Sequence, residues 1–182
     1  QCSGLFAEAT TIQESLTQGD TLKVNFFFNK RKGLTTTLKQ VKLETFDSTF
    51  SLPLSTNTNI SINKNIVVDN SKSISQPYWL VNPQTEGMFN VSEQALIGKA
   101  ENDPSFLATI TLNIEGEEFI FYKPVLFKTV DPVRGEIYQP VAILPKEEVK
   151  YDKENYIKII NKGQDLRVAL KDKKGVSTQT IK

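Results

Sequence analysis

Leu107-Ala108-Thr109-Ile110-Thr111-Leu112-Asn113-Ile114, then Glu115-Gly116, then Glu117-Glu118-Phe119-Ile120-Phe121-Tyr122-Lys123-Pro124-Val125-Leu126, is the stretch that decides the fold. Its first eight residues place Ile110, Leu112 and Ile114 on one face and Thr109, Thr111 and Asn113 on the other. Only an extended strand has that period of two. Glu115-Gly116 is a two-residue connection of the kind that closes a hairpin, because Gly adopts a positive φ without steric cost. Pro124 has no N–H for a ladder, so the returning strand is expected at an edge or with a bulge there.

The same period recurs outward from this hairpin. Leu5 to Ile12 reads as a first strand, and Gln18-Gly19-Asp20 as the turn after it. In Thr21 to Asn29 the residues Leu22, Val24, Phe26 and Phe28 share a face, with Lys23 and Asn25 opposite. Phe27 interrupts the polar face and predicts that part of it is covered. Lys30-Arg31-Lys32-Gly33 is expected to be a solvated turn, and Lys39 to Thr45 a strand with Val41 and Leu43 inward. From Ser55 to Asn70 the expected buried positions are Ile60, Ile62, Ile66 and Val68. Ser75 to Val81 is expected to be extended, because a residue before proline is pushed out of the α region. Ala95 to Gly98 is a candidate short strand, Asn102-Asp103-Pro104 a loop, and Asp131 to Glu136 a turn leading into Tyr138 to Leu144.

Thr, Ser and Asn make up about a quarter of the chain, a composition of strands and turns. No apolar i, i+3, i+4, i+7 pattern persists beyond about two turns. Short strands at spacings of about 8–12 residues predict an all-β protein, an immunoglobulin-like antiparallel β-sandwich over residues 1–145. After Pro145 the chain becomes more charged, and Tyr156 to Ile160 and Leu166 to Leu170 are weaker alternating runs. Residues 146–182 are therefore expected to be a linker and the opening strands of a second β module, too short to hold a core alone.

The chain has 182 residues, with 22 Lys+Arg against 21 Asp+Glu, one Cys and no His. A net charge of +1 lacks the excess that drives binding to a phosphate backbone, so no nucleic-acid partner is expected. No run of about 18 apolar residues occurs, so no membrane span is expected. Without histidine the commonest general base and the usual zinc ligand are missing, and Ser-His-Asp and Cys-His triads are excluded. One cysteine makes neither an internal disulfide nor a Cys-rich metal site. The chain is not expected to be an enzyme on its own. A first residue of Gln, with no leader pattern after it, predicts a piece of a longer protein.

Four phrases carry a family resemblance: Cys2-Ser3-Gly4-Leu5-Phe6-Ala7-Glu8-Ala9-Thr10, Ser75-Gln76-Pro77-Tyr78-Trp79-Leu80, Leu96-Ile97-Gly98 and Asp131-Pro132-Val133-Arg134-Gly135-Glu136-Ile137-Tyr138-Gln139-Pro140. In this order and spacing they resemble the region downstream of the catalytic domain in large PIG-L/LmbE-type deacetylases of Bacteroidetes-like bacteria. The resemblance covers about residues 1–145. It implies a parent with a zinc-dependent domain that removes acetyl from N-acetylglucosamine-type sugars, and an exported, periplasmic or secreted location. The catalytic signature of that family, an Ala-His-Pro-Asp-Asp segment with a distant His, is absent here. No catalytic residue carries over, and no cofactor is expected in this chain, zinc belonging to the parent's catalytic domain. The function expected is a non-catalytic accessory module that stabilises or positions that domain. The alternative is a carbohydrate-binding module for an N-acetylated glycan.

Four residues are candidates for ligand binding: Tyr78, Trp79, Arg134 and Tyr138. The rings of Tyr78 and Trp79 suit the C–H face of a hexose, although the single Trp of a sandwich also suits its core. Arg134, with Asp131 and Glu136, offers a planar fork for a carboxylate or hydroxyls. The plainer reading is a turn in which Asp131 caps, Gly135 takes a positive φ and Arg134 pairs with an acid. The oxygen-rich loops Asn57 to Asn65 and Asn102-Asp103 lack the spacing of a calcium site. Glu115, Glu117 and Glu118 are expected at a solvated hairpin tip, not facing across a cleft as paired-carboxylate chemistry needs. Cys2 is expected to be a small buried residue.

Overall fold

Residues 4–151, 166–172 and 175–181 are those described in a computed structural model of the chain. The chain divides into two compact units between Leu144 and Pro145. The first holds β1 (Leu5–Thr11), β2 (Ser15–Thr17), β3 (Thr21–Lys30), β4 (Thr36–Leu43), β5 (Phe46–Pro53) and β6 (Ile60–Val67). After a long excursion come β7 (Leu107–Ile114), β8 (Glu117–Asp131), β9 (Gly135–Pro140) and β10 (Ala142–Leu144). Among the described residues there is no α-helix, and the fold is all-β and sandwich-like.

The strand order is β5-β4-β7-β8-β1-β3-β6, with β9 also paired to β8. The long strand β8 belongs to both layers. Its first half, Glu117 to Pro124, pairs antiparallel with β7 and, among the described residues, with no other strand. From Val125 onward it pairs parallel with β1 and antiparallel with β9. Pro124 stands at the changeover, the last residue in register with β7, and the Val125 N–H donates to the Phe106 carbonyl at 2.9 Å. A residue without a ladder donor is thus placed where one ladder ends and the next begins. β1–β8 and a short β2–β10 pair are parallel, so the sandwich is mainly rather than wholly antiparallel.

The predicted alternation in β3 and β7 is what fills the core. Leu22, Val24, Phe26 and Phe28 from β3 are buried with Ala108, Ile110 and Leu112 from β7 and Leu38, Val41 and Leu43 from β4. Each such side chain contributes about 1.5–3 kcal/mol relative to an exposed position, except the smaller alanine. The two ends of the strand path approach across this core. Phe26 stacks on Phe46 of β5 at 6.3 Å between centroids, and the Lys64 ammonium of β6 lies 5.4 Å from the same ring. Ile66 and Val68 are buried as expected, whereas Ile60 and Ile62 only pack against the margin of the core.

Three local expectations change. Lys30 is not part of a solvated turn; it continues the inward row of β3, only 6% exposed, and its ammonium donates to the Leu34 carbonyl at 2.6 Å. Ser75 to Val81 is not simply extended, because Tyr78–Leu80 forms a 3-10 turn after Pro77. Gln94–Leu96 is likewise a 3-10 turn, where a strand was expected around Ala95. Glu115 is exposed at the hairpin tip as expected, and there its carboxylate accepts from the Thr35 N–H while its own N–H donates to the Thr35 carbonyl.

The second unit contains β11 (Glu147–Tyr151), β12 (Leu166–Asp172) and β13 (Gly175–Ile181), an antiparallel sheet in that order. The expected run Tyr156 to Ile160, and Cys2, lie outside the described residues.

Candidate functional site

The connection from Val68 to Phe106 is far longer than the roughly 12–15 residues that loops inside compact domains rarely exceed, and such loops tend to be functional. Polar side chains give it shape. Asn102 donates from Nδ2 to the Gln76 carbonyl at 2.6 Å and accepts from the Tyr78 N–H at 3.3 Å. Ser75 ties the segment to β10, donating its N–H to the Ile143 carbonyl and accepting the Ile143 N–H at its hydroxyl, both at 2.9 Å. Farther out, Asn82 donates to the Asn90 carbonyl and Asn90 to the Pro83 carbonyl, which closes the Thr85–Met88 turn. Lys99 and Asp103 pair at 2.7 Å.

This scaffold carries apolar side chains outward. Tyr78, Trp79, Met88, Phe89, Val91 and Ile97 line a shallow depression of about 570 Å³. Met88 is 69% exposed and Ile97 64%, with Phe89, Leu80 and Val81 also exposed. Trp79 is half-buried, and no residue of its turn is fully buried, so it does not fill the core. Its ring meets that of Tyr78 edge-on, 4.9 Å apart at 89°. The other side of Trp79 borders a second hollow of about 580 Å³ with Gln76, Glu101, Asn102 and Ser105.

Arg134 and Tyr138 lie elsewhere. The hollow beside Trp79 includes Pro140 to Ala142 but neither of these two residues. Asp131 caps the β8–β9 turn, its Oδ1 accepting from the N–H groups of Val133 at 2.8 Å and Arg134 at 2.7 Å. Those two bonds hold its carboxyl below the ordinary aspartate value, the Arg134 bond contributing more. Gly135 has φ +80°. Arg134 is exposed and makes no ion pair among the described residues.

Tyr138 belongs to a small charged network that register creates. β8 pairs Lys128 with Tyr138 and Val130 with Glu136, and β1 lies on the other side of β8. Lys128 reaches Glu136 at 3.1 Å and Glu8 at 3.7 Å, with its ammonium 5.1 Å from the centre of the Tyr138 ring. The Tyr138 hydroxyl donates to Glu136 at 2.8 Å. That bond, followed by Lys128, lowers the Glu136 carboxyl below its ordinary value. The Tyr138 oxygen, with Glu136 and Glu8, keeps Lys128 protonated well beyond the usual lysine range despite its partial burial. One ammonium thus bridges two carboxylates from β1 and β9, with the Tyr138 hydroxyl on one of them, which ties β8 to both neighbours.

Sequence reasoning missed Lys128 and Glu8, because only the parallel β1–β8 register brings them together. It also missed Met88, Phe89 and Ile97, isolated hydrophobics in a segment without periodicity. Among the described residues no group of His, Cys, Asp and Glu side chains is arranged to hold a metal ion, and no helix is long and apolar enough to cross a membrane. Comparisons with protein-family profiles, curated proteins and solved structures find no match.

Proposed function

We propose that the first unit is a non-catalytic accessory module that works by docking, and that its docking surface is the outer side of the Val68–Phe106 excursion. The observation that carries this reading is the exposed cluster of Met88, Phe89 and Ile97 beside Tyr78 and Trp79. Contiguous apolar surface held outward by ordered polar bonds costs free energy in water and serves a contact. In keeping with the four sequence phrases that resemble deacetylase accessory regions, the partner we propose is the zinc-dependent sugar deacetylase domain of a longer chain. The module would hold that domain in register with its substrate, in a periplasmic or secreted setting.

The experiment has two steps. The coding DNA upstream of Gln1 is read first, and the domain encoded there is expressed separately and titrated against the 182-residue chain. Association that Phe89→Ser and Ile97→Ser weaken by about tenfold or more, with unchanged circular dichroism, supports the reading. An upstream frame without such a domain, or binding indifferent to both substitutions, overturns it.

A second reading, a glycan on Tyr78 and Trp79, is favoured by the surface position of Trp79 beside a hollow with several amide and hydroxyl groups. Against it, Asn102 and Ser105 already bond within the protein, and the perpendicular rings do not form one flat platform. N-acetylglucosamine oligomers that shift Trp79 fluorescence would select it over docking.

A further inference from the structure

We propose that the outer face of the β8-β1-β3-β6 sheet is a binding site for an acidic oligosaccharide, with the Lys23 ammonium taking a sugar carboxylate and the amides of Asn25, Asn63 and Asn65 reading hydroxyls. This site lies on the opposite kind of surface from the apolar excursion and does not rest on the docking reading.

A hollow of about 490 Å³ crosses these strands, lined by Ile12, Lys23, Asn25, Asn63, Asn65 and Lys128 among others. Register puts the amides on one face, since Asn25 stands opposite Asn63 and Lys23 opposite Asn65. Four adjacent strands at about 4.8 Å spacing give the hollow a length of roughly 14 Å, the span of a short sugar chain rather than a single ion.

Two lysine side chains reach this outer face, Lys23 and Lys128, whereas Lys64 stands opposite the buried Val24 on the inner row of β6. Lys128 is engaged with Glu136 and Glu8, and Lys64 sits over the Phe46 ring. The side chain of Lys23 is exposed, and among the described residues its ammonium has neither an ion pair nor a hydrogen bond; only its backbone N–H is used, by Gln13 at 2.7 Å. One free cation suits a carboxylate borne on a sugar, and is too little for the repeated phosphates of a nucleic acid.

The amides supply hydroxyl recognition. Asn25 Nδ2 donates to Asn63 Oδ1 at 2.7 Å and also to the Ser61 hydroxyl. Among the described residues Asn25 Oδ1 and Asn63 Nδ2 have no hydrogen-bond partner, which leaves an acceptor and a donor side by side. A fixed acceptor beside a fixed donor, on strands rather than loops, is the pattern a sugar hydroxyl satisfies from both sides. On the same face Phe6 is 50% exposed, edge-on to Phe27 at 6.0 Å. Glu8 stands between Thr10 and Phe6 on that face, opposite Phe27, so an acidic chain bound in the hollow stops short of the Phe6 ring.

The test titrates the full 182-residue chain with short oligogalacturonides, with neutral cello-oligosaccharides and with inorganic phosphate, following backbone amide shifts by NMR. The expected result is binding of the oligogalacturonide alone, with shifts at Thr10, Asn25, Asn63 and Asn65, weakened by salt. Lys23→Gln should lower its affinity about tenfold, the loss of one charge-assisted contact, and Asn63→Ala should do likewise without changing the melting temperature. Trp79→Ala should leave binding unchanged, which separates this site from the excursion. No binding at millimolar oligogalacturonide, equal binding of the neutral sugar, a phosphate response of the same strength, or shifts confined to residues 78–97 would each overturn the assignment.

Discussion

Replacing Lys30 by alanine and by methionine separates two reasons for burying a lysine. Lys30 ends the inward row of β3, 6% exposed, with its ammonium 2.6 Å from the Leu34 carbonyl and, among the described residues, no carboxylate partner. Lys30→Ala removes three methylene groups from an almost fully buried stem, which at about 0.8 kcal/mol each costs about 2.4 kcal/mol. Lys30→Met restores most of that apolar volume but forfeits a hydrogen bond from a charged donor, a loss of about 1.5–3 kcal/mol where such a bond is well formed. Removing an ammonium from a site without a counter-ion offsets much of that loss. The Leu34 carbonyl also keeps a second donor, the Thr36 hydroxyl at 3.2 Å. The expectation is therefore about 2–3 kcal/mol lost in Lys30→Ala and under about 1 kcal/mol in Lys30→Met. Urea unfolding followed by far-ultraviolet circular dichroism measures both. A methionine variant as unstable as the alanine variant would refute the reasoning, because the bond to Leu34 rather than the stem would then hold the residue in place.

Gly19 has φ +82°, and a Cβ there would lie 3.0 Å from Asn70 Oδ1, so Gly19→Ala should cost about 1–2 kcal/mol in the same unfolding assay. Phe26→Ala should cost about 3–5 kcal/mol, because it empties a fully buried site and strips the stacking partner from Phe46. The Glu136 carboxyl is lowered in the folded protein, so its stabilising effect is present above the ordinary glutamate value and is lost as pH falls through the lowered one. Carbon-13 NMR should show Tyr138→Phe raising that titration towards the ordinary value; an unmoved midpoint would contradict the role given to the hydroxyl.

Alternation made β3 and β7 legible because an amphipathic strand writes its own register, with Phe26 and Ile110 on the buried side. What it could not convey is which strands become neighbours. The meeting of Lys128 with Glu8 depends on a pairing between residues more than a hundred positions apart, and no local pattern encodes it. Lys30 was misread for a related reason: its charge suggests solvent, while its even-numbered place in β3 puts its stem among Leu22, Val24, Phe26 and Phe28. The excursion escaped notice because 3-10 turns bound by Asn102 and Ser75 have no periodic signal. Tyr78, Trp79 and Tyr138 were identifiable as aromatics in unusual phrases. The outer-face asparagines read as ordinary polar positions until β3 and β6 were set side by side.

The sharing of β8 between both layers has a consequence for synthesis on the ribosome. β1 is made first, yet its parallel neighbour, Val125 to Phe127, is made long after β3 to β7. Until then Ala9 and the inward row of β3 lack that side of their cover, and the nascent chain must carry them unsealed. Closure of such a distant pairing is slow compared with local hairpins. Emergence of β8 is thus the step that should convert a protease-sensitive nascent chain into a resistant one, and chains arrested before Pro124 should depend most on chaperones.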